Sequence, residues 1–178
     1  AFEAGNFASA EARYAALFAL LPHDASGART DITERHAASI YKQGEAARKD
    51  GSLGDAARHF ARVADVAPAS TVRANAQFDA AATMIAAKDW AGAARQLEDF
   101  RARFPNHALA ADVPARLAVV YTEQARWADA AAEFERLAQS TNDSAAAADA
   151  QWHASQLYEK GQPTSKAAAS SAYERFVA

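Results

Sequence analysis

The sequence predicts an all-α fold built from repeated helix pairs. Alanine, the strongest helix former, makes up about 30% of the 178 residues. Glycine and proline are few, at 7 and 5 residues, and no stretch alternates apolar and polar residues as a half-buried strand does. The third observation is a spacing of 37 residues between matching apolar positions along most of the chain.

The spacing is clearest at Leu53, Trp90 and Trp127, which lie 37 residues apart. Each is followed by small or apolar residues at offsets 3, 7 and 10, which share one face of an α-helix. These followers are Ala56, Phe60 and Val63, then Ala93, Leu97 and Phe100, then Ala130, Phe134 and Leu137. Pro68 and Pro105 follow the first two of these helices, because proline cannot continue the hydrogen-bonding pattern.

The same template, taken along the chain, also fits both ends. It predicts one unpaired helix over 3–21, with Phe7 at offset 0, and then four helix pairs over about 32–68, 72–105, 110–142 and 145–178. The turns inside the pairs are "KDGS", "AKD", "QAR" and the longer "KGQPTS". The first spacing, from Phe7 to Leu53, is 46 residues rather than 37, so nine additional residues lie in a longer loop, a longer helix, or both.

These residues resemble the tetratricopeptide repeat family. The family alternates small and aromatic residues along the second helix of each pair and often ends it at a proline. Ala56, Phe60 and Pro68 follow that pattern, although the repeat is 37 residues long rather than about 34. The family's small residue in the first helix is matched by Gly44, Ala81 and Ala118. The resemblance implies one domain over 1–178, a right-handed α-solenoid of antiparallel helix pairs, and we expect it to be a segment of a longer chain.

In this interpretation the repeated residues are packing residues. Trp90 and Trp127 begin the second helix of their pairs and are expected to lie in the core. Ala56, Ala93 and Ala130 let two helix backbones approach closely, so a larger side chain there would overpack the pair. Both end helices carry apolar faces, whereas solenoid ends are normally polar. We therefore expect these faces to be covered by a further part of a longer chain or by a second copy.

Composition and motifs predict no catalytic, metal or cofactor site. The formal net charge of −3 and the pI of about 6.0 argue against a general nucleic-acid-binding surface. Cysteine is absent, and the five histidines show no HExxH spacing. P-loop, GxSxG and GxGxxG motifs are absent, and no apolar run is long enough to cross a membrane. We expect no enzymatic activity and no cofactor.

The resemblance implies a partner-binding surface on the first helix of each pair, which lines the concave side of a solenoid. Carried over by register, the favoured positions are Tyr41, Glu45, Arg48, Lys49, Asn75, Phe78, Asp112, Trp152 and Gln156. The same register includes Ala82, Ile85, Ala115, Val119, Thr122, Asp149 and Glu159. Tyr41, Phe78 and Trp152 share one repeat position. Their rings fit either contact with a partner or packing between neighbouring helices.

Two functions fit this pattern. The favoured one is a scaffold that binds a peptide or helix of a partner protein on the concave surface, without catalysis. The alternative is a structural spacer or self-assembly segment of a larger cell-envelope or secretion protein, which would self-associate through its exposed terminal helices. The "FPNH" stretch is similar to bacterial cell-envelope tetratricopeptide proteins. That similarity implies a periplasmic location, with the cytoplasm as the alternative.

Overall fold

The computed structural model describes residues 1–161 and 166–177, and the predicted all-α class is confirmed for them. The helices are α1 Phe7–Leu20, α2 Ser26–Lys49, α3 Leu53–Val66, α4 Arg73–Ala86, α5 Trp90–Arg103, α6 Val113–Glu123, α7 Trp127–Ser140, α8 Ser144–Lys160 and α9 Lys166–Val177. A short 3-10 turn, Ala108–Asp112, leads into α6. The predicted "KGQPTS" turn falls largely outside the described residues. None of the described helices is long and apolar enough to cross a membrane.

The chain divides into two compact units, residues 1–96 and 97–178, with the division inside α5. In the first unit, α1 packs on α2, α2 on α3, and α3 on α4. In the second, α6 packs on α7, α7 on α8, and α8 on α9. Within each unit, then, helices contact their neighbours in sequence, as in a tetratricopeptide-like solenoid. The right-handed superhelix stays a prediction.

The core follows the predicted helix face. Ala56, Ala93 and Ala130 are all fully buried, as small residues at a close helix contact should be. Gly44 of α2 has the same role on the facing helix, since a Cβ there would lie 2.6 Å from the Phe60 ring. Because Gly44 has no side chain, the Phe60 ring can lie against the backbone of α2, and the two helices pack closely.

The tryptophans are not core residues, which corrects the sequence interpretation. Trp90 and Trp127, like Leu53 at the same repeat position, are only half-buried. Each is the first residue of its helix and directly follows the turn. The preceding helix of the pair ends before this turn, so it does not cover one side of the residue. They therefore lie at the edge of the core.

The nine additional residues lengthen a helix. α2 runs from Ser26 to Lys49, 24 residues, whereas the other helices that open a pair have 11 to 17. It begins six residues before the boundary predicted at residue 32. The loop between α1 and α2 is accordingly short.

The three described turns inside helix pairs share one backbone conformation. Gly51, Lys88 and Ala125, each 37 residues from the next, all have a positive φ, of 81°, 59° and 55°. The following residue then donates its N–H to a carbonyl five residues back, as Arg126 does to Tyr121 at 2.8 Å. This left-handed C-terminal cap satisfies the last carbonyls of one helix and starts the next. Only the first copy uses glycine, the residue suited to positive φ.

The α1 helix is held by a polar contact at its centre. Both Oε atoms of Glu11 accept hydrogen bonds from Nη2 of Arg62 in α3, at 2.6 and 2.7 Å, and Gln43 of α2 donates a third. His36 and His59 lie beside this pair. Burial lowers the pKa of both imidazoles, and the positive charge of Arg62 lowers it further while Glu11 opposes the shift.

Replacing Ala125 by glycine should stabilise the second unit. The change removes the cost of a left-handed non-glycine residue, about 1 kcal/mol, against a smaller entropic loss, for a net gain of roughly 0.5 kcal/mol. Gly51→Ala is the matched opposite: nothing lies within 4 Å of its added Cβ, so its cost of about 1 kcal/mol is conformational alone. Urea denaturation measures both. Destabilisation by Ala125→Gly would contradict the assignment of strain to this turn.

Acidification should destabilise the first unit through His36 and His59. Because the folded state lowers both pKa values, the unfolded chain binds protons more readily between the lowered values and the ordinary value near 6.5. The resulting stability is complete above about pH 6.5 and declines below it. The double variant His36→Gln/His59→Gln should lose less unfolding free energy between neutral pH and about pH 5.5 than the wild type. His23→Gln, at an exposed position, should behave as the wild type does.

Candidate functional site

The predicted binding positions of the second unit fall on one exposed surface. Eight residues form it, and we call it the α6–α8 face: Asp112, Ala115, Val119 and Thr122 around α6, and Asp149, Trp152, Gln156 and Glu159 on α8. Seven are exposed and Thr122 is half-buried. Several intervening residues are fully buried, among them Leu117 and Ala154. Both helices therefore use one side for packing and leave the predicted side free.

A cavity of about 690 Å³ opens at this face. Thr122 of α6 and Phe134 of α7 line it together with five residues of α8: His153, Gln156, Leu157, Glu159 and Lys160. Three of the seven, Thr122, Gln156 and Glu159, belong to the register carried over from the sequence. The structure thus brings residues from three helices around one concave site.

The cavity exists because Phe134 is incompletely covered. Phe60 and Leu97, at the same repeat position, are fully buried, whereas Phe134 is half-buried. In the first unit the Tyr41 ring lies 5.1 Å from the Phe60 ring, and the Arg48 guanidinium is also 5.1 Å from that ring.

Small residues replace both covering side chains in the second unit. Two repeats after Tyr41 the chain has Ala115, and two repeats after Arg48 it has Thr122. The Thr122 hydroxyl donates to the Ala118 carbonyl of its own helix at 2.7 Å and so does not extend over the ring. Neither side chain is long enough to cover Phe134 as Tyr41 and Arg48 cover Phe60, and Thr122 lines the cavity beside the ring.

The walls of the cavity combine aromatic and charged groups. The His153 imidazole lies against Phe134, with ring centroids 5.3 Å apart and planes inclined by 34°. The Lys160 ammonium lies 5.1 Å from the centre of the Trp127 ring, a cation–π distance. Within residues 1–161 and 166–177, no carboxylate lies within ion-pair distance of Lys160. Its charge therefore faces the cavity and solvent.

The predicted positions of the first unit are largely engaged within the protein. The Tyr41 hydroxyl donates to Asp79, and burial followed by this hydrogen bond raises the pKa of Tyr41. Asp79 also accepts a hydrogen bond from Arg48 at 2.9 Å, and Glu45 pairs with Lys42. Lys49 and Asn75 are exposed. Tyr41, Glu45 and Arg48 therefore already have partners within the protein, whereas the carboxylates of the α6–α8 face have no ion pair among the described residues.

The three aromatic residues that share one repeat position have different environments. Phe78 is only 6% exposed, which corrects its interpretation as a partner-binding residue, because a partner could not reach its ring without displacing other groups. Tyr41 is half-buried against Phe60. Trp152 is 40% exposed and packs against Tyr173 and Phe176 of α9, at centroid distances of 5.5 and 5.4 Å. Trp152 alone of the three presents its ring to solvent to that extent.

Only Gln156 of the seven lining residues was among the favoured positions; Thr122 and Glu159 belong to the wider register, and Phe134, His153, Leu157 and Lys160 lie outside it. Phe134 was assigned to the core by its repeat position. The signal that could have located the cavity was the loss of Tyr41 and Arg48 equivalents two repeats later. Among the described residues, no group of histidine, aspartate and glutamate side chains could hold a metal ion.

Comparison with known families supports the repeat assignment for one helix pair. Residues 75–107 match the family model described as tetratricopeptide repeat, which covers most of α4, all of α5 and the loop after it. No curated protein matches the sequence of the chain. Tetratricopeptide repeats are generally protein–protein interaction modules.

Truncation of Phe134 should cost less stability than truncation of Phe60. Phe60→Ala removes a fully buried ring and should cost about 3–5 kcal/mol. Phe134→Ala removes a ring that already borders a cavity, and the expected cost is roughly 1–2 kcal/mol. Urea denaturation of both variants provides the comparison. Equal costs would show that Phe134 is packed as completely as Phe60.

Proposed function

We propose that this chain is a non-catalytic protein-binding module that takes a segment of a partner protein on the α6–α8 face. An apolar side chain of the partner would enter the cavity and contact Phe134 and Leu157. The observation that supports this most directly is the incompletely covered Phe134, since the equivalent residues of the two preceding repeats, Phe60 and Leu97, are fully buried. The general role of tetratricopeptide repeats in protein–protein interaction is consistent with it.

The size and walls of the cavity suit such an occupant. At about 690 Å³ it falls inside the range of roughly 300–1,000 Å³ that is typical of ligand sites. An apolar floor with a few polar groups at the rim is the arrangement in which one inserted side chain provides most of the binding energy. Trp152 and Val119, 40% and 50% exposed, extend the apolar surface beyond the cavity.

The other positions predicted from the sequence are additional contact residues in this proposal. Gln156 lines the cavity, and Asp112 is exposed at the start of α6. Lys49 and Asn75 of the first unit are exposed and stay predicted contact residues. The periplasmic location implied by "FPNH" also stays a prediction.

Filling the cavity tests this function without removing any buried group. The double variant Ala115→Tyr/Thr122→Arg gives α6 the two side chains that cover Phe60 in the first unit. Short peptides selected from a random displayed library on the wild-type protein should bind this variant at least about tenfold more weakly, because the inserted side chain loses its pocket. Titration calorimetry measures the affinities.

The matched control places the same residue types on the far side of α7. Ala128→Tyr/Gln139→Arg changes two exposed residues that do not line the cavity, and it should bind the selected peptides as the wild type does. Thermal unfolding of both variants confirms that they are folded. Unchanged affinity of the filled variant for every selected peptide would exclude the cavity as the binding site.

A second candidate function is self-assembly, which one observation favours. Leu20 and Leu17 of α1 are 81% and 47% exposed, and Phe176 of α9 is 39% exposed. Contact between such faces would join copies of the chain rather than bind a segment of another protein. Light scattering across a concentration series separates the two functions, since only self-assembly predicts a molar mass that rises with concentration.

A further inference from the structure

Carboxylates on the first helices of the second unit lack the arginine partners that those on α5 and α7 have. On α5 and α7, each acidic residue of this unit has an arginine within ion-pair distance: Glu98, Asp99, Asp129, Glu133 and Glu135. Around α6 and α8, four exposed carboxylates besides the helix cap Asp143 have no cationic partner in the part of the chain that the structure describes: Asp112, Glu123, Asp149 and Glu159. Most carboxylates of this unit without a cationic partner therefore lie on or beside its first helices, and Glu174 of α9 is a further one among the described residues.

These charges surround the apolar part of the α6–α8 face. Asp149 and Glu159 lie ten residues apart on α8, about 15 Å along the helix axis, with Trp152 and Gln156 between them, and Glu159 itself lines the cavity. Asp112 lies at the start of α6, before Val119. The cations nearby are Lys160, at the cavity wall, and Arg116 of α6, which already interacts within the protein. An occupant of this surface therefore meets apolar groups between the carboxylates of Asp149 and Glu159, with the Lys160 ammonium also at the cavity wall.

We infer that the segment bound on the α6–α8 face is basic, with an apolar residue between two cationic ones. This inference rests on the proposed function and adds the chemistry of the partner. A lysine or arginine near Asp149 and another near Glu159 would provide the counter-charges that the protein does not supply itself. In an extended segment, a separation of about 15 Å corresponds to cationic residues about five positions apart.

Charge complementarity distinguishes this partner from a neutral or acidic one. Opposite potentials across an interface accelerate association and reject partners of like charge, and their effect declines as salt screens the exposed groups. An acidic segment would place carboxylates against carboxylates and is disfavoured. A neutral apolar segment would fill the cavity but leave all four carboxylates without counter-charges.

The test begins with the peptides selected on the wild-type protein and then reverses the charge of the face. The selected peptides should be enriched in lysine and arginine around an apolar residue. The variant Asp149→Lys/Glu159→Lys should bind them roughly tenfold more weakly, because two attractions become two repulsions. Replacing the two cationic residues of one synthetic peptide by glutamate should weaken binding to the wild type and restore part of it to the variant.

The control has the same change in net charge at positions away from the face. Asp24→Lys/Asp65→Lys alters two exposed carboxylates of the first unit that have no ion pair among the described residues, and it should bind the basic peptide as the wild type does. Equal weakening by both variants would show a non-specific charge effect and overturn the inference. Thermal unfolding verifies that each variant is folded.

The outcomes separate this inference from the proposed function. Neutral or acidic peptides that lose binding when the cavity is filled would leave the proposed function standing and overturn the basic partner. Basic peptides that bind equally to wild type and to the charge-reversed face would also overturn it. Peptides unaffected by the filled cavity would overturn both proposals.

Discussion

The close approach of two helix backbones at each repeat is the constraint on which the structure depends. Phe60 fits over Gly44 because that position has no Cβ, and Ala56 beside it is fully buried. A larger residue at either position would separate α2 from α3, and the turn at Gly51 could then no longer connect them in three residues. The repetition of small residues at these positions follows from this geometry, as does the left-handed residue in each described turn.

The same constraint explains what could be predicted from sequence. A spacing of 37 residues identified the helices and the buried face, since close packing tolerates few residue types at the contact. The burial of Trp90 and Trp127 was predicted wrongly, because a helix periodicity gives the direction of a side chain but not whether a neighbour is long enough to cover it. The length of α2 was left open for a similar reason: polar residues before its apolar face fit a loop as well as a helix.

The candidate site lies where the side chains of a helix pair cover the repeated aromatic position incompletely. Phe134 is half-buried beside a cavity that Thr122 also lines, and the positions of Tyr41 and Arg48 are taken two repeats later by Ala115 and Thr122. The sequence contained this information, although only as a comparison between repeats at positions that do not belong to the packing template. Phe78 shows a second limit of prediction from sequence. Its register predicts a position on the binding side, but its side chain is buried in the structure. A register therefore predicts which residues share a side, whereas exposure depends on what packs there.

Charge distribution gives the open side a chemical character that packing alone does not. The buried carboxylate of Glu133 accepts two hydrogen bonds from Arg101, at 2.7 and 2.9 Å, and such a buried charge requires its partner. The carboxylates of the α6–α8 face are exposed, so solvent satisfies them and folding places no demand for an arginine nearby. Their lack of partners costs the fold little and leaves a negative rim around apolar groups. On such a surface, apolar contacts provide most of the binding energy, and the charges determine which partner segments are accepted or rejected. Both properties are expected of a site that selects one segment among many.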